Sequence, residues 1–436
     1  KGYIPTTREV KDLCIEGYSM VIEHEFIYKS EPHHWSFNML KDAILLILEV
    51  NKICNQHGFE LKDSHPYNVF FKNNRPIFID LGSIVERKNN SEWVAHGQFL
   101  DNCYIQLLFW SKGDFFTARK LLEDGSRPAY RTIPMNSILE SSIVNSIASE
   151  VFDFNFLFKQ RVLFTQKKHN KLLEISTIYL NKLFKICFPK EKAILSYQKD
   201  YKNLSFVEKK IRNANQLGGQ TMWQHYHDTY KNGTVIVSSY RFDRILSLIE
   251  NYIKDIDSMI DLAGNQGIFC RLMSERFDLS RIILTDYDEN AIDIAYQTLK
   301  QRNEKIQPYL FNFMRPFKRE EVEYLKADIA FALAISHHLI LTQNYLLPAI
   351  FNNISRHSKK YVVIEFMPLG LWAGADLPEI PSWYTQDWFH SEFEQFFNLL
   401  HFEKIETNRI VFIGSKRSSP VNCQILEQDE LQTYTP

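Results

Sequence analysis

Asp261, Gly264, Gly267 and Asp286 are the residues whose types and spacing could do chemistry. Asp261-Leu-Ala-Gly-Asn-Gln-Gly267 closes a short apolar run, and after a helix-length gap comes Ile282-Ile-Leu-Thr-Asp286-Tyr-Asp288. A strand, a glycine-containing turn, a helix and a second strand ending in a carboxylate form the nucleotide-binding half of an α/β domain. Glycines there let the backbone approach the ligand, and the second acid accepts hydrogen bonds from ribose hydroxyls. Both a dinucleotide and S-adenosylmethionine fit that description. The turn reads D-x-x-G-x-x-G, with Leu262 where the pyrophosphate fingerprint would place its first glycine, and this favours S-adenosylmethionine. An ordinary strand-to-helix turn is the reading with no ligand.

Further candidates follow from position along such a sheet. Asp261 should face the cofactor's amino group, with Ala263, Gly264, Asn265 and Gly267 forming the turn beside its methionine portion; Asp286, followed by Tyr287, should hold the ribose. Phe313 is placed to lie against adenine and Asn312 to bond with it. The run Ala334-Ile-Ser-His337-His338 ends the fourth strand candidate, where the Ala334 backbone can meet the cofactor and an imidazole can reach a methyl acceptor. Histidine titrates near neutral pH and can remove a proton as the acceptor attacks, so His338 and His337 are candidate bases, with Glu365 at the end of the next strand a third. The alternatives are a hydrogen-bonded structural histidine and a carboxylate that caps a helix.

The elements that must position these residues are legible as alternating strands and helices from about residue 233. Strand candidates are Met259–Leu262, Ile282–Thr285, Pro308–Phe311, Asp328–Leu333 and Tyr361–Glu365, and two closely spaced strands follow, near Phe402–Glu406 and Arg409–Gly414. A terminal hairpin on a five-stranded parallel sheet resembles the fold of S-adenosylmethionine-dependent methyltransferases. Upstream, the apolar period Phe37, Leu40, Ala43, Ile44, Ile47, Leu48 predicts a helix opened by Ser36 and closed near Gly58. Two short strands joined by Lys72-Asn-Asn-Arg75 come next, and the stretch from Trp93 to about Leu183 reads as mainly helical.

Residues 61–83 pose a separate question. Asp63, Asn68 five residues later, and Asp80-Leu-Gly82 after a short hairpin resemble the catalytic loop and metal-binding turn of protein and aminoglycoside kinases. The stretch before Asp63 contains no glycine-rich phosphate loop, so the expectation is a degenerate scaffold or acceptor-binding module rather than an active phosphotransferase.

Bulk properties narrow the classes. The chain has 436 residues, enough for two or three cores, and its formal net charge of −1 gives no whole-molecule attraction to nucleic acid or anionic lipid. Residues 166–212 are locally basic, which fits either a solvated helical face or a docking surface for an anionic partner such as RNA. Six scattered cysteines form no C-x-x-C pair and no Cys/His cluster at zinc spacing, so no metal site is expected and a reduced, cytoplasmic setting is the simple inference. No apolar run is long enough to span a bilayer. The chain begins at Lys1 without an initiator Met, so the expectation is a fragment.

Seven segments together resemble a bacterial family of class I methyltransferases that includes rhizobial nodulation-associated proteins. They are Trp35–Asp42, Leu61–Asn68, Pro76–Ser83, Trp93–Phe99, Asp261–Gly267, Leu333–Leu339 and Ile364–Pro368. The resemblance implies an α/β methyltransferase sheet of seven strands behind an N-terminal, mainly helical domain like a kinase C-lobe. It also implies S-adenosylmethionine as cofactor and a glycan or small polar metabolite as acceptor, with RNA or protein methylation and a vestigial binding module as alternatives. The expected domains are 1–185 (kinase-like), 186–232 (basic linker), 233–415 (methyltransferase) and 416–436 (tail). Two departures stand out: Ala263-Gly264 where the family tends to have Gly-Ala, and Leu369-Gly370-Leu371 where it has Lys-x-Asp.

Overall fold

The structure, a computed structural model, describes residues 2–88, 92–123, 203–216, 239–315, 319–372 and 377–417, the backbone alone at 319 and 320. Its contacts divide the chain into two compact units. One comprises Lys1–Ala43, Val69–Ile79 and Gly218–Pro436; the other comprises Ile44–Asn68 and Asp80–Leu217. The grouping does not follow the linear boundaries expected from sequence, since two N-terminal segments belong with the C-terminal body.

The first unit is built on a seven-stranded sheet. Its strands are β7 (Ser258–Leu262), β8 (Arg281–Asp286), β9 (Gln307–Leu310), β10 (Ala327–Ala332), β11 (Ser358–Phe366), β12 (Phe397–Glu406) and β13 (Arg409–Lys416). They run in the order β12-β13-β11-β10-β7-β8-β9. From β9 to β11 all neighbours are parallel, and only β13 is reversed, inserted between β11 and β12. This is the arrangement expected from the terminal pair of strands. The parallel strands bury both faces: Ile260, Leu262 and Ile283 enter one core cluster, while Met259, Ile282 and Leu284 enter the other. The apolar runs are therefore continuous rather than alternating.

The order places β7 between β8 and β10, with the chain leaving β7 toward β8 and returning later at β10. That reversal opens a crevice at the carboxyl ends of the strands, the place where open α/β sheets bind ligands.

Three pieces of the N-terminal half complete this unit. Strands β1 (Thr7–Glu9) and β2 (Ile22–His24) pair antiparallel. The first turns of the helix Phe37–Gln56 meet the helix Glu289–Arg302: Asn38 donates to Asp293 through its backbone at 2.8 Å and its side-chain amide at 2.6 Å, and the Tyr296 hydroxyl donates to Asp42 at 2.6 Å. The hairpin of β4 (Val69–Lys72) and β5 (Arg75–Phe78) turns through Asn73 and Asn74, whose φ values of 49° and 58° are those of a two-residue turn that favours asparagine. Asn74 then donates to the carbonyls of Glu304 and Ile306.

In the second unit, β3 (Phe59–Leu61) pairs antiparallel with β6 (Ile84–Glu86), and helical segments lie at His96–Phe99, Ile105–Ser111, Phe115–Glu123 and Leu204–Asn213. Of the helical stretch expected up to Leu183, residues 124–183 lie outside the described residues, as do most of the basic segment and the tail beyond Arg417. The helix Leu204–Asn213 carries Lys209, Lys210 and Arg212, with Val207 and Ile211 buried; Arg212 pairs with Glu208.

Candidate active site

The turn after β7 is held together before any ligand is considered. Asp261 is 2% exposed, and the Thr285 hydroxyl donates to its carbonyl at 3.0 Å. Gly264 N–H donates to the Thr285 carbonyl, and Gly267 N–H to the Gly264 carbonyl. A Cβ on Gly264 would lie 2.5 Å from Asp261 Oδ2 and 2.6 Å from Leu284 Cδ1, and one on Gly267 would lie 2.8 Å from Leu284 Cδ2. Sequence reading assigns these glycines to close approach of a ligand; the packing of the turn against its own aspartate and strand β8 already demands them.

Three residues at the crevice hold non-glycine side chains at positive φ: Ala263 at 70°, Asn265 at 52° and Ala334 at 53°. Asparagine tolerates this region, whereas alanine pays about 1–2 kcal/mol for it. Glycine in place of Ala263 relieves that strain but costs about 0.5–1 kcal/mol in unfolded-chain entropy. Ala263→Gly is therefore expected to stabilise the apo protein by roughly 0.5–1 kcal/mol, read as a rise of about 1–4 °C in melting temperature. A fall in melting temperature would mean that Ala263 does not adopt the left-handed conformation.

Asp286 is shaped as a hydrogen-bond acceptor. Its Oδ2 receives the Asn265 N–H at 2.7 Å and its Oδ1 the Asp288 N–H at 2.7 Å, which fixes the carboxylate across the turn. Protein atoms crowd it, yet it keeps part of its surface open to solvent. Burial pushes the Asp261 carboxyl up to about 7, with the charge of Asp286 adding to the effect. Burial likewise raises Asp286 to about 6, against the lowering effect of the backbone N–H groups of Asp288, Asn265 and Tyr287. Two carboxylates thus share a low-dielectric crevice with their charge incompletely compensated. A cation with hydroxyl donors attached is the ligand chemistry that would relieve both.

The remaining candidates divide. Tyr287 is 58% exposed; its hydroxyl accepts from Arg315, whose guanidinium also lies over the ring at 5.0 Å. Asn312 uses its Oδ1 to accept the Met314 N–H at 2.9 Å, so it organises the loop after β9. Phe313 is packed within a core cluster rather than presented at the surface. The apolar run of β9 continues past the strand end into the loop, which is why the ring is buried.

At the end of β10, the short helix Ser336–Leu341 begins, and the Ser336 hydroxyl donates to the Glu365 carbonyl at 2.7 Å. His337 and His338 have ring centroids 4.1 Å apart. His337 is 4% exposed, and burial, together with His338 and Arg409, drops its imidazole to about 3, so it is neutral at any working pH. His338 is only part-buried, with its pKa moved down by burial. Of the pair, His338 has the exposure a proton acceptor needs.

Glu365 does not have the environment expected of a base. It is fully buried, and Arg241 grips it in a fork, Nε to Oε1 at 2.8 Å and Nη2 to Oε2 at 2.5 Å, while Arg409 Nη1 reaches Oε2 at 3.1 Å. Burial alone would raise its carboxyl, but the two guanidiniums outweigh it and hold the group below the usual carboxylate range. A carboxylate so held is a poor proton acceptor. Sequence reading missed Arg241 and Arg409 because they lie 124 and 44 residues from their partner, beyond any local spacing rule.

In the second unit, Ser83 ties the two acidic segments of the stretch 61–83: its hydroxyl accepts the Asp63 N–H at 3.0 Å and lies 3.1 Å from the Asp63 carbonyl, while its N–H donates to the Asp80 carbonyl. His65 is shifted down by burial, opposed by the charges of both Asp63 and Asp80.

No protein-family model matches the chain. Over 360 residues it is 24% identical to Nodulation protein NoeA of Rhizobium meliloti (strain 1021), covering 80% of this chain and 71% of that protein. Among solved structures it is similar to an S-adenosylmethionine-dependent methyltransferase from Clostridium acetobutylicum ATCC 824 (TM-score 0.35, 12% identity, 45% of this chain and 97% of that one). It is also similar to a SAM-dependent methyltransferase from Aquifex aeolicus (TM-score 0.35, 11% identity, 44% of this chain and 98% of that one). The sheet order and the paired carboxylates carry the reading of the site. No helix among the described residues is long and apolar enough to cross a membrane.

Proposed function

We propose that this chain is an S-adenosylmethionine-dependent methyltransferase acting on an oxygen of a glycan or other small polar metabolite. The observation that supports this most directly is the pair Asp261 and Asp286 at adjacent strand ends, the first buried and the second partly open to solvent, both held above their usual pKa in a crevice suited to a cationic ligand with ribose hydroxyls. When bound, S-adenosylmethionine supplies an electrophilic methyl group. Asp286 would accept from the ribose hydroxyls and Asp261 would face the amino group. The turn would fix the cofactor's orientation, and part-buried, neutral His338 would take the acceptor's proton. Alignment and exclusion of water provide most of the rate in such an in-line displacement. The glycan reading draws on the family resemblance and on the nodulation named for the similar rhizobial protein. We take the stretch 61–83 as a module for acceptor recognition. Methylation of RNA is the second reading, carried by the basic segment 166–212, and salt-dependent RNA binding would favour it.

Calorimetry with S-adenosylmethionine tests the proposal. The ionised carboxylates bind the cation, so affinity should rise by about tenfold or more between pH 5.5 and 8 as both acids lose their protons. The unliganded fold has the opposite dependence: an acid whose folded pKa is raised makes the protein lose stability as pH rises from the unfolded value near 4 up to 6–7. Cofactor-induced thermal stabilisation should therefore be larger at pH 8 than at pH 5.5. Asp286→Ala should weaken binding by about 1.5–3 kcal/mol. An unchanged dissociation constant in a folded variant would move the ribose site elsewhere.

A further inference from the structure

We propose that His33, His34 and Glu321 form a binding site for a single borderline divalent transition-metal ion, zinc foremost, that pins the segment Glu31–Trp35 to the helix Arg319–Tyr324. All three residues lie in the first unit, and each presents one ligand atom within 4.8 Å of the others. His33 and His34 belong to a one-turn helix, Pro32–His34, that packs beside β9, and their rings stand 4.1 Å apart. His33 Nε2 lies 2.9 Å from Glu321 Oε1, a hydrogen bond whose two atoms need part by only a few tenths of an ångström to span the ligand-to-ligand edge of about 3.3 Å in a tetrahedral zinc site.

The surroundings are those of a built metal site. Imidazole ligands of metals characteristically engage their second ring nitrogen with a carboxylate, carbonyl or hydroxyl, which fixes the tautomer and the ring plane. His34 does this, its Nδ1 lying 2.7 Å from the Tyr324 hydroxyl; Glu31 Oε2 lies 3.6 Å from His33 Nδ1, within ion-pair range but beyond hydrogen-bond distance. Glu31 is itself held by Lys29. The side chains of His33 and Glu321 are 11% and 12% exposed, so the cluster is sheltered yet reachable by water as a fourth ligand. His34 also packs edge-on against Tyr309 and Phe311, which anchors it from the sheet side. Two imidazoles and one carboxylate select zinc or a neighbouring transition ion over magnesium or calcium, which prefer all-oxygen ligands. Sequence spacing does not reveal the site, because the third ligand lies 288 residues from the first.

The test uses the full chain, stripped with a chelator and titrated with zinc chloride at pH 7.5, followed by metal analysis and thermal melting. The expected result is one zinc per chain and a higher melting temperature, with magnesium chloride producing neither. Glu321→Gln keeps an acceptor for the His33 N–H but not the anionic ligand, and His34→Gln removes an imidazole; each should weaken zinc binding by at least about tenfold. Failure to bind zinc stoichiometrically overturns the proposal and leaves a plain His33–Glu321 hydrogen bond. So does binding that is undiminished in both variants.

Discussion

Replacing His338 by alanine is expected to lower turnover by about 10²–10⁴-fold while leaving the affinity for S-adenosylmethionine within about twofold of the parent. The asymmetry follows from position: the imidazole follows the end of β10, where it would act on the acceptor, whereas the ribose and amino contacts are assigned to Asp286 and Asp261 on β8 and β7. Burial moves the His338 pKa down, so the ring is neutral and able to accept a proton across the physiological range. The parent rate should accordingly be flat above about pH 6.5 and fall only below it. The deficit of His338→Ala should shrink as pH rises and the acceptor ionises unaided. His337→Ala should act through stability, because that ring is nearly inaccessible and stays neutral. The measurement needs an acceptor, which tritium transfer from labelled cofactor into fractionated metabolites can supply. Equal and pH-independent losses at both histidines would exclude each of them as the base.

How much of this site could be read from sequence depended on whether the controlling interaction was local. The strands were legible because each buries both faces and so shows as an unbroken apolar run: Ile282–Thr285 lies inside the observed Arg281–Asp286, and Met259–Leu262 inside Ser258–Leu262. The helix over Phe37–Gln56 and the Asn73-Asn74 turn were likewise local, set by periodicity and by asparagine's tolerance of positive φ. The pairing of the last two strands followed from the Thr407-Asn408 connection between them, which is too short for anything but a hairpin. What escaped was long-range. The docking of Asn38 and Asp42 on the helix Glu289–Arg302 groups an N-terminal segment with the C-terminal body, and no composition shift marks that boundary. The burial of Phe313 depends on what packs over the end of β9. The raised pKa values of Asp261 and Asp286 depend on two strands standing side by side.

The same distinction decides the role of Glu365, where a strand-end acid looked like a base and its partners lie far away in the chain. Arg241→Met should destabilise the protein by about 3–5 kcal/mol, toward the lower end because Arg409 remains, since removing one member of a buried pair leaves an undercompensated charge. That is a drop of roughly 6–15 °C in melting temperature. The double variant Arg241→Met, Glu365→Met should recover most of the loss, because Arg409 keeps Glu406 at 3.0 Å and no buried charge is stranded. The pH dependence has a definite sign. In the parent, Glu365 is held below its ordinary pKa, so its contribution is present above the unfolded value near 4.3 and is lost as pH falls through the lower folded value. In Arg241→Met the buried carboxyl protonates at higher pH, so the gap between parent and variant should narrow on acidification from pH 7 to pH 4. Denaturant unfolding of the three proteins at both pH values reads all of this. If Arg241→Met is as stable as the parent, the fork contributes nothing to the fold, and Glu365 returns as a candidate for the chemistry at the strand ends.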